Sequence, residues 1–418
     1  MIGIGRHGPL GADAMVGTEA TPPPAARASW HALDLRSIDR ERDRAAWVAL
    51  SLVPGMGPAG FAAAVGRFGS ASTALSAGDA VLACMHSPPP EALAHLRRHA
   101  GLSAGATLAR VERATAAAGG RIVTALDDDY PGILTQLDPR PPVLYVAGAG
   151  DALEGTGIAV VGTRRATGYG RSSAIDIADA LARAGMVVIS GLALGIDGEA
   201  HRAAVDGGGR SVAVLPSPLD RVYPPRHREL ARRLVASGGA LVSEVPPGAT
   251  IGRPDFARRN RLIAGLATAV VVVEAPDRSG ALLTASLALA LGRELYAVPG
   301  PIDAVASRGC NRLIADHSAT IVTSSGALLQ RLGAFEPRHR GAMPALSEVE
   351  GLVLGRLLRR SASIEELIGP LALPAGALAG ALTMLEARGL VTSFGGATFH
   401  PTLEARGRGG APRARDPA

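Results

Sequence analysis

The chain contains no lysine, so all 43 of its basic residues are arginines. This absence excludes a Walker-type phosphate loop, a Schiff-base lysine and a lysine general base, because each of these needs the missing side chain. The arginines outnumber the 37 acidic residues and leave a net charge of +6. This surplus favours a polyanionic partner, since the guanidinium fork matches the oxygens of a phosphate group.

Cysteine and aromatic residues are also scarce. The two cysteines, Cys84 and Cys310, lie far apart, and none of the ten histidines stands in an HExxH or HxH pattern. We therefore expect no metal site and a reduced, cytoplasmic setting. No run of about 18 apolar residues lacks charge, so we expect no membrane-spanning helix. The N-terminus lacks the apolar stretch of a signal peptide.

A length of 418 residues leaves room for several domains. Composition shifts and periodicity divide the chain into a disordered leader, a small helical domain of SAM or helix-hairpin-helix type, a Rossmann-like core, a linker, a winged-helix domain and a basic disordered tail. The predicted bounds are 1–40, 41–115, 121–332, 333–344, 345–402 and 403–418. In the helical domain the turn Val53–Pro58 fits either a DNA-binding hairpin or a plain corner between two helices.

The rhythm of the chain from residue 157 onward predicts the fold of the core. Short apolar strands such as Ile158–Val161 and Met186–Ser190 alternate with amphipathic helices such as Tyr169–Ala184. This alternation is typical of an α/β, Rossmann-like fold with a buried parallel or mixed sheet. Ligands of such sheets bind at the carboxyl ends of the strands. The loops that follow the strands are therefore the place to look for function.

The loop Gly162–Gly170 directly follows the first of these strands. It carries Arg164 and Arg165 without an acid, and the helix after it offers free amides, which together indicate an anion site. The loop matches neither GxGxxG nor GxxxxGK[ST], and the second strand ends at Ser190-Gly191 without an acid to hold a ribose. We therefore expect no nucleotide cofactor. A glycine-rich turn with solvated arginines is the structural alternative.

The loop Gly191–Asp197 follows the second strand. Its two glycines, Gly191 and Gly195, would let the backbone approach a ligand. We expect Asp197 to be the N-cap of the next helix and His201 to be a structural partner rather than a catalytic base.

Three further regions carry arginines toward the same edge of the sheet. Arg226 precedes one helix, and four arginines between Arg253 and Arg261 introduce a helix predicted from Ala257, where cations would oppose the helix dipole unless an anion bound there. The third region, Arg278-Ser279-Gly280, opens the next helix, with Ser279 as its expected N-cap. Tyr169, Tyr223 and Phe256 could stack on bases or belong to the core. The candidate DNA-binding residues are Gly162, Thr163, Arg164, Arg165, Gly191, Gly195, Arg226, Arg253, Arg258, Arg259, Asn260, Arg261, Ser279 and Gly280.

An ordered series of motifs over roughly residues 125–325 resembles the DprA/Smf family. The motifs include Val160–Thr167, Ser190–Ala193, Gly195–Asp197, Arg259–Leu266 and Ala297–Gly300. The resemblance implies a cytoplasmic protein that binds single-stranded DNA during natural transformation, protects it and loads the RecA recombinase onto it. It also implies a homodimer formed through the Rossmann-like domain, with no required cofactor and no catalytic or metal site.

Two other functions compete with this interpretation. A nucleotide-processing enzyme of the related lysine-decarboxylase-like phosphoribohydrolase group would carry a PGGxGTxxE segment, which the sequence lacks. A duplex-binding regulator would use the winged helix. Its predicted recognition helix, Pro374–Arg388, presents Leu378, Leu382 and Leu385 along one face and carries a single arginine, which makes it a poor reader of a DNA groove.

Overall fold

The computed structural model describes residues 30–35, 37–99, 104–334, 346–359, 362–388, 390–394 and 398–401. They belong to two compact units, divided after Pro337. Most of the leader predicted over 1–40, residues 335–344 of the linker predicted over 333–344 and the whole tail predicted over 403–418 lie outside the described residues.

The first unit combines helices with a nine-stranded sheet. Its helices are α1 (Arg40–Ser51), α2 (Pro58–Phe68), α3 (Ala71–Ser76), α4 (Pro90–His99), α5 (Ala104–Ala117), α6 (Gly168–Arg183), α7 (Ile196–Asp206), α8 (Arg228–Ala236), α9 (Arg253–Leu266), α10 (Gly280–Ala290), α11 (Arg308–Ala315) and α12 (Ser325–Arg331). Its strands are β1 (Gly120–Thr124), β2 (Val143–Gly148), β3 (Gly157–Gly162), β4 (Val187–Ser190), β5 (Ser211–Leu215), β6 (Ala240–Ser243), β7 (Ala269–Glu274), β8 (Glu294–Ala297) and β9 (Thr320–Ile321).

The sheet has the order β1-β2-β6-β5-β4-β3-β7-β8-β9. Strands β3 to β9 pair in parallel, whereas β1 and β2 form antiparallel pairs at one edge. This confirms the predicted α/β fold and makes the sheet mixed. The chain first builds outward from β3 to β6 and then returns to add β7 on the other side of β3. The strand order therefore reverses between β3 and β7. Such a switch point leaves a crevice above the strand ends.

The central strands are buried on both faces, which explains why their sequences are continuously apolar. Every residue of β5 and β7 is buried. The helices on either face cover two separate hydrophobic clusters, one centred on Val270 and Val272 and the other on Val271 and Val273. Successive residues of one strand thus point to opposite faces, as the period of a strand requires.

The N-terminal helices share their core with the sheet. Trp30, Trp47 and Phe61 form a fully buried aromatic group, with Trp30 stacked on Phe61 at 5.7 Å between ring centroids. The same cluster continues into Tyr145 and Leu241 of the sheet. The predicted disordered leader is therefore wrong at its end. Residues 30–35 and 37–40 belong to the described structure. The buried indole of Trp30 donates its Nε1–H to the carbonyl of Pro58 at 3.0 Å and so anchors this segment to α2.

The second unit has the element order predicted for a winged helix. It contains α13 (Glu348–Arg359), β10 (Ala362–Ser363), α14 (Ile364–Leu371), α15 (Ala375–Ala387), β11 (Val391–Phe394) and β12 (Thr398–Pro401), and its strands form an antiparallel sheet of order β10-β12-β11. Leu378, Leu382 and Leu385 of α15 are buried in the core of this unit. The apolar stripe of the predicted recognition helix is thus a packing face and tells nothing about DNA.

No single helix among the described residues is both long and apolar enough to cross a membrane, although α14 and most of α15, bent by 117°, meet the length and composition requirements as a pair.

Candidate nucleic-acid interface

Glu274, the last residue of β7, fixes the backbone of the loop after β3 through hydrogen bonds. The carboxylate of Glu274, which is 2% exposed, accepts hydrogen bonds from the backbone N–H of Thr167 at 2.9 Å and from its hydroxyl at 2.7 Å. The carbonyl of Glu274 accepts the N–H of Thr163 at 2.7 Å. Thr167 also caps α6, because its hydroxyl accepts the N–H of Gly170. The loop therefore presents Arg164 and Arg165 from a fixed backbone.

The turn after β4 is held by two histidines. Leu192 is fully buried and has a φ of 55°, a left-handed conformation that is costly for a side chain with a Cβ. Its N–H donates to Nε2 of His201 at 3.3 Å, and its carbonyl hydrogen-bonds with Nδ1 of His227 at 2.8 Å. The other nitrogen of His201 bonds with Ser211 at 2.7 Å. His201 is thus a structural partner, as predicted, and burial lowers its pKa to about 3.

Asp197 braces the same turn, and its predicted N-cap role is wrong. The N-cap of α7 is Gly195, whereas the Asp197 carboxylate accepts the N–H groups of Gly191 at 3.1 Å and Ala193 at 3.4 Å. Burial raises the pKa of Asp197, although the nearby guanidinium of Arg259 opposes that shift. Because its Oδ2 accepts two amides of the turn, Asp197 is placed to shape the turn rather than to catalyse.

The two glycines of this turn serve the protein's own packing. A Cβ on Gly191 would lie 1.4 Å from Nη1 of Arg259, and a Cβ on Gly195 would lie 2.3 Å from the carbonyl oxygen of Thr163. Gly195 also has a φ of 78°. At both glycines the backbone does come close to other groups, but these groups belong to the protein itself: Arg259 and the loop after β3. The structure gives neither glycine a place in the lining of the main pocket.

Arg259 is a buried cation beneath the pocket. Its side chain is 6% exposed and donates from Nη1 to the carbonyl of Val214 at 3.1 Å, while its Nε has no hydrogen-bond partner within the described part of the chain. Burial lowers its pKa to about 10 against the attraction of Asp197. Asp197 attracts Arg259 but forms no ion pair with it among the described residues, so the charge of Arg259 is only partly compensated. A buried cation in this state is costly until an anion reaches it.

These elements enclose a pocket of about 570 Å³ above the switch point, between the loop after β3 and the facing surfaces of α9 and α10. Five arginines line it, against the single buried acid Asp197, and the N-terminus of α10 opens into it at Ser279 and Gly280. The lining residues are Val161, Gly162, Thr163, Arg164, Arg165, Ala193, Asp197, Arg253, Phe256, Ala257, Arg259, Asn260, Ile263, Pro276, Arg278, Ser279, Gly280, Ala281, Leu283 and Thr284.

Most of the predicted site residues meet in this pocket. They are Gly162, Thr163, Arg164, Arg165, Arg253, Arg259, Asn260, Ser279 and Gly280. Arg226 and Arg258 are exposed but do not line it, so their role in DNA binding stays a prediction.

Arg261 does not line the pocket either, because it is paired inside the protein, and its role in DNA binding stays a prediction. Its guanidinium pairs with Glu244 and donates to the carbonyl of Pro139 at 2.8 Å, with both charged side chains at most 14% exposed. Burial raises the pKa of Glu244, while Arg261 counteracts the shift. The pair ties α9 to the end of β6.

The true start of α9 explains how its arginines separate. The helix begins at Arg253, four residues before the predicted start, with Pro254 in its first turn and the carboxylate of Asp255 accepting the N–H of Gly252 at 2.8 Å. At about 100° per residue, Arg253 and Asn260 share one face. Arg258 points away from that face. The four arginines therefore have three different environments. Arg253 and Arg259 line the pocket, Arg258 is exposed outside it, and Arg261 is paired with Glu244.

Sequence reasoning missed part of the pocket. The segment Arg278-Ser279-Gly280 was expected at this edge, but Arg278, which lines the pocket, was left out of the candidate residues. Ile263 and Leu283 form an apolar wall that no motif indicated. Spacing along α9 would have found Ile263, since it lies three residues after Asn260 on a helix.

An aromatic pair borders a smaller cleft of about 40 Å³ next to the pocket. Tyr223 and Phe256 meet edge to face at 5.5 Å, and the guanidinium carbon of Arg164 lies 5.3 Å from the centre of the Phe256 ring. Tyr223 is 42% exposed, so it is not a core residue. Tyr169, which is 49% exposed, donates its hydroxyl to the carbonyl of Pro299 at 2.7 Å. The cation–π contact orients Arg164 over the pocket.

The described residues contain no group of three or more His, Cys, Asp or Glu side chains that could hold a metal ion. The buried acids around the pocket, Asp197, Glu244 and Glu274, each bind amides, a hydroxyl or an arginine of the protein itself. What the pocket offers is positive charge and hydrogen-bond donors on a fixed frame, which is the chemistry of an anion-binding site.

Comparison with known proteins gives consistent results. The family model of DNA recombination-mediator protein A matches residues 121–333, about half of the 418 residues. A DprA relative from Mycobacterium tuberculosis is 43% identical over 293 residues, which cover 65% of this chain and 75% of that protein. The crystal structure of DNA processing protein A from Streptococcus pneumoniae superposes with a TM-score of 0.59 and 30% identity, over 68% of this chain and 97% of that one.

A structure of DNA processing protein A from Helicobacter pylori, solved for its single-stranded DNA binding mode, superposes with a TM-score of 0.47 and 27% identity over 51% of this chain and 97% of that one. The match of the family model and the relative from Mycobacterium tuberculosis settle the resemblance found in the sequence. The chain belongs to the DNA recombination-mediator protein A family.

Proposed function

We propose that this protein binds single-stranded DNA, without sequence preference, through the phosphates of its backbone. The observation that carries the proposal is the convergence of Arg164, Arg165, Arg253, Arg259 and Arg278 on one pocket that contains a single, already occupied carboxylate. Family membership supports DNA as the polyanion.

Binding would begin with electrostatic attraction at the outer face of the pocket and be completed by directed hydrogen bonds at the pocket floor. The exposed arginines attract the strand and release counterions from it, which makes the affinity depend steeply on salt. The amides at the N-terminus of α10 and the rigid loop after β3 then hold one phosphate in place. Arg259 gains the partner that its buried charge lacks. Because all of these contacts address phosphates, they distinguish bases only slightly.

A titration with fluorescent DNA tests this function. We expect an oligo(dT) strand to bind more tightly than a duplex of the same length, since a flexible single strand can enter a pocket that a duplex cannot. The titration is repeated at two salt concentrations, and the affinity for the single strand should fall at the higher one. Equal or tighter binding of the duplex at both concentrations would overturn the proposal.

The proposal extends to the role of the bound strand. We infer that the protein protects single-stranded DNA and loads a RecA-type recombinase onto it in natural transformation or recombination, acting as a homodimer and without catalysis. Family membership supports the role in recombination. Loading is tested by following recombinase assembly on a strand already covered by a single-strand-binding protein. We expect catalytic amounts of this protein to shorten the lag, and an unchanged lag would contradict loading.

Two further measurements address the dimer and the absence of catalysis. Light scattering at several concentrations should give twice the mass of one chain, and a mass of 42.4 kDa throughout would contradict the dimer. Incubation with AMP should release no base, because the acids around the pocket are occupied. Release of adenine with turnover would favour a phosphoribohydrolase instead.

A further inference from the structure

One buried side chain outside the pocket connects the turn after β4 to the segment that follows β5. His227 is 6% exposed, and its Nδ1 hydrogen-bonds with the carbonyl of Leu192 at 2.8 Å. Because a carbonyl oxygen only accepts, this nitrogen carries the proton. The ring also packs on α7, where a Cβ on Gly198 would lie 2.6 Å from Cε1 of His227. His227 therefore has a fixed position between two neighbouring loops.

The hydrogen bond of His227 completes a chain in which every donor can be assigned. The N–H of Leu192 donates to Nε2 of His201, so the proton of His201 lies on Nδ1 and is donated to the hydroxyl of Ser211. That hydroxyl donates in turn to the carbonyl of Val188 in β4 at 2.7 Å. His201 binds the N–H of Leu192 and His227 binds its carbonyl. Both backbone polar groups of this left-handed residue are therefore held.

The segment that contains His227 also presents two exposed arginines. His227 ends a short 3-10 helix, Pro225–His227, and is the N-cap of α8. Successive residues of a 3-10 helix point about 120° apart. Because His227 points inward, its neighbours Arg226 and Arg228 point outward, and both are exposed. Neither arginine forms an ion pair within the described part of the chain.

This segment borders the pocket on the side of the smaller cleft. Tyr223 and Pro224 line that cleft, which shares Arg259 with the pocket. Arg226 follows two residues after Pro224, so its charge continues the row of cations beyond the cleft. No hydrogen bond of Arg226 itself ties it to the pocket among the described residues. The adjacent His227 supplies that tie, since it binds the turn against which Arg259 lies.

We propose that His227 is a positioning residue for DNA binding. By binding the carbonyl of Leu192, it fixes Arg226 relative to Arg259, so that one strand meets both arginines at a set spacing. This inference rests on the proposed function, since it names how part of the same DNA surface is held. His227 is buried and itself makes no contact with the strand. Loss of its hydrogen bond weakens binding through Arg226 and leaves the contribution of Arg278, which lies just before α10, unchanged.

Two substitutions at position 227 separate positioning from packing. His227→Leu keeps an apolar side chain of similar size without a donor, whereas His227→Asn places an amide N–H near the position of Nδ1. In titrations with fluorescent oligo(dT), we expect His227→Leu to bind several-fold more weakly and His227→Asn to bind within about twofold of wild type. Thermal unfolding identifies a temperature at which each variant is folded. Equal losses of affinity in both variants, or no loss in His227→Leu, would overturn the positioning role.

A double-mutant cycle identifies the arginine through which His227 acts. His227→Leu is combined with Arg226→Ala and, as the matched control, with Arg278→Ala. It should change the affinity of Arg226→Ala by less than about twofold and keep its full effect in Arg278→Ala, since independent sites add. If His227→Leu does not fold, Gly198→Ala replaces it, because the added Cβ displaces the ring of His227.

The outcomes of the cycle separate this inference from the proposed function. Equal effects of His227→Leu in the two arginine backgrounds would overturn the positioning role while DNA binding stands. Wild-type affinity in Arg226→Ala would overturn it as well, because there would be no contact for His227 to position. If the wild-type protein binds no labelled strand, the proposed function itself fails.

Discussion

The guanidinium of Arg259 lies directly against the α-carbon of Gly191, in the space that any other residue at position 191 would fill with its side chain. This contact joins the turn after β4 to the middle of α9 and sets the position of the cation at the pocket floor. The position of Arg259 therefore requires a glycine at position 191. The hydrogen bonds of Leu192 with His201 and His227 stabilise the turn that contains this glycine.

Gly191→Ala should displace Arg259 and break its hydrogen bond to Val214. We expect the free energy of unfolding to fall by about 1–3 kcal/mol, because a buried charged group loses a partner, and the affinity for single-stranded DNA to fall with it. Urea unfolding and a fluorescence titration measure the two effects. Gly326→Ala on α12 is the control, since a Cβ there meets nothing within 4 Å and Gly326 does not line the pocket. Equal behaviour of the two variants would show that Arg259 has room to move.

Arg261→Met should affect stability much more than DNA binding. The substitution leaves the carboxylate of Glu244 buried without its partner, and removal of one member of a buried pair costs about 3–5 kcal/mol. The double variant Arg261→Met with Glu244→Gln should recover part of that loss. Chemical denaturation measures the stability, and a titration of the folded protein should give nearly the wild-type affinity. A large loss of affinity in a stable variant would restore Arg261 to the DNA site.

His201 predicts how stability depends on pH. Its folded-state pKa of about 3 lies below the ordinary value of 6.5, so between these values the unfolded chain binds a proton that the folded protein does not. The contribution of His201 is complete above pH 6.5 and decreases by up to about 1.4 kcal/mol per pH unit as the pH falls toward 3. Urea unfolding at pH 7.5, 6 and 5 compares wild type with His201→Gln, which should show a shallower decline. Parallel curves would contradict the assignment.

Arg259 predicts a limit to binding at alkaline pH. Its pKa of about 10 is lower than the ordinary value of 12.5, so raising the pH through 10 removes the cation from the pocket floor. We expect the affinity for oligo(dA), whose bases do not ionise in this range, to fall by up to about tenfold per pH unit above 10. Arg259→Met should bind weakly at every pH and lose this dependence. The same pH profile in both proteins would assign the effect to another group.

The sequence was sufficient to predict the sheet but insufficient to predict the pocket. Strands β3 and β4 lie within one residue of the bounds predicted for Ile158–Val161 and Met186–Ser190, because a buried parallel strand is a short apolar run that turn residues delimit on both sides. The predicted start of α9 at Ala257 is four residues too late, because proline is well tolerated in the first turn of a helix and Pro254 does not delay it.

That single error put Arg258 and Arg261 on the same surface as Arg253. Two other features could not be found from one sequence at all. The ion pair of Arg261 with Glu244 joins residues of different elements, and the contact of Gly191 with Arg259 links positions 68 residues apart. Local sequence patterns do not contain such tertiary contacts. The position of an arginine in a motif therefore does not tell whether its side chain is exposed to solvent or paired with an acid.

The central claim is that phosphates bind among the arginines of the pocket, and the salt dependence of Arg164→Ala tests it most directly. Fluorescence titrations of wild type, Arg164→Ala and the control Arg232→Ala, whose arginine is exposed on α8 and pairs with Glu229, are compared over a range of salt concentrations. We predict weaker binding by Arg164→Ala with a salt slope reduced by about one phosphate contact, and no change for Arg232→Ala. Unchanged affinity and slope in Arg164→Ala would contradict the account.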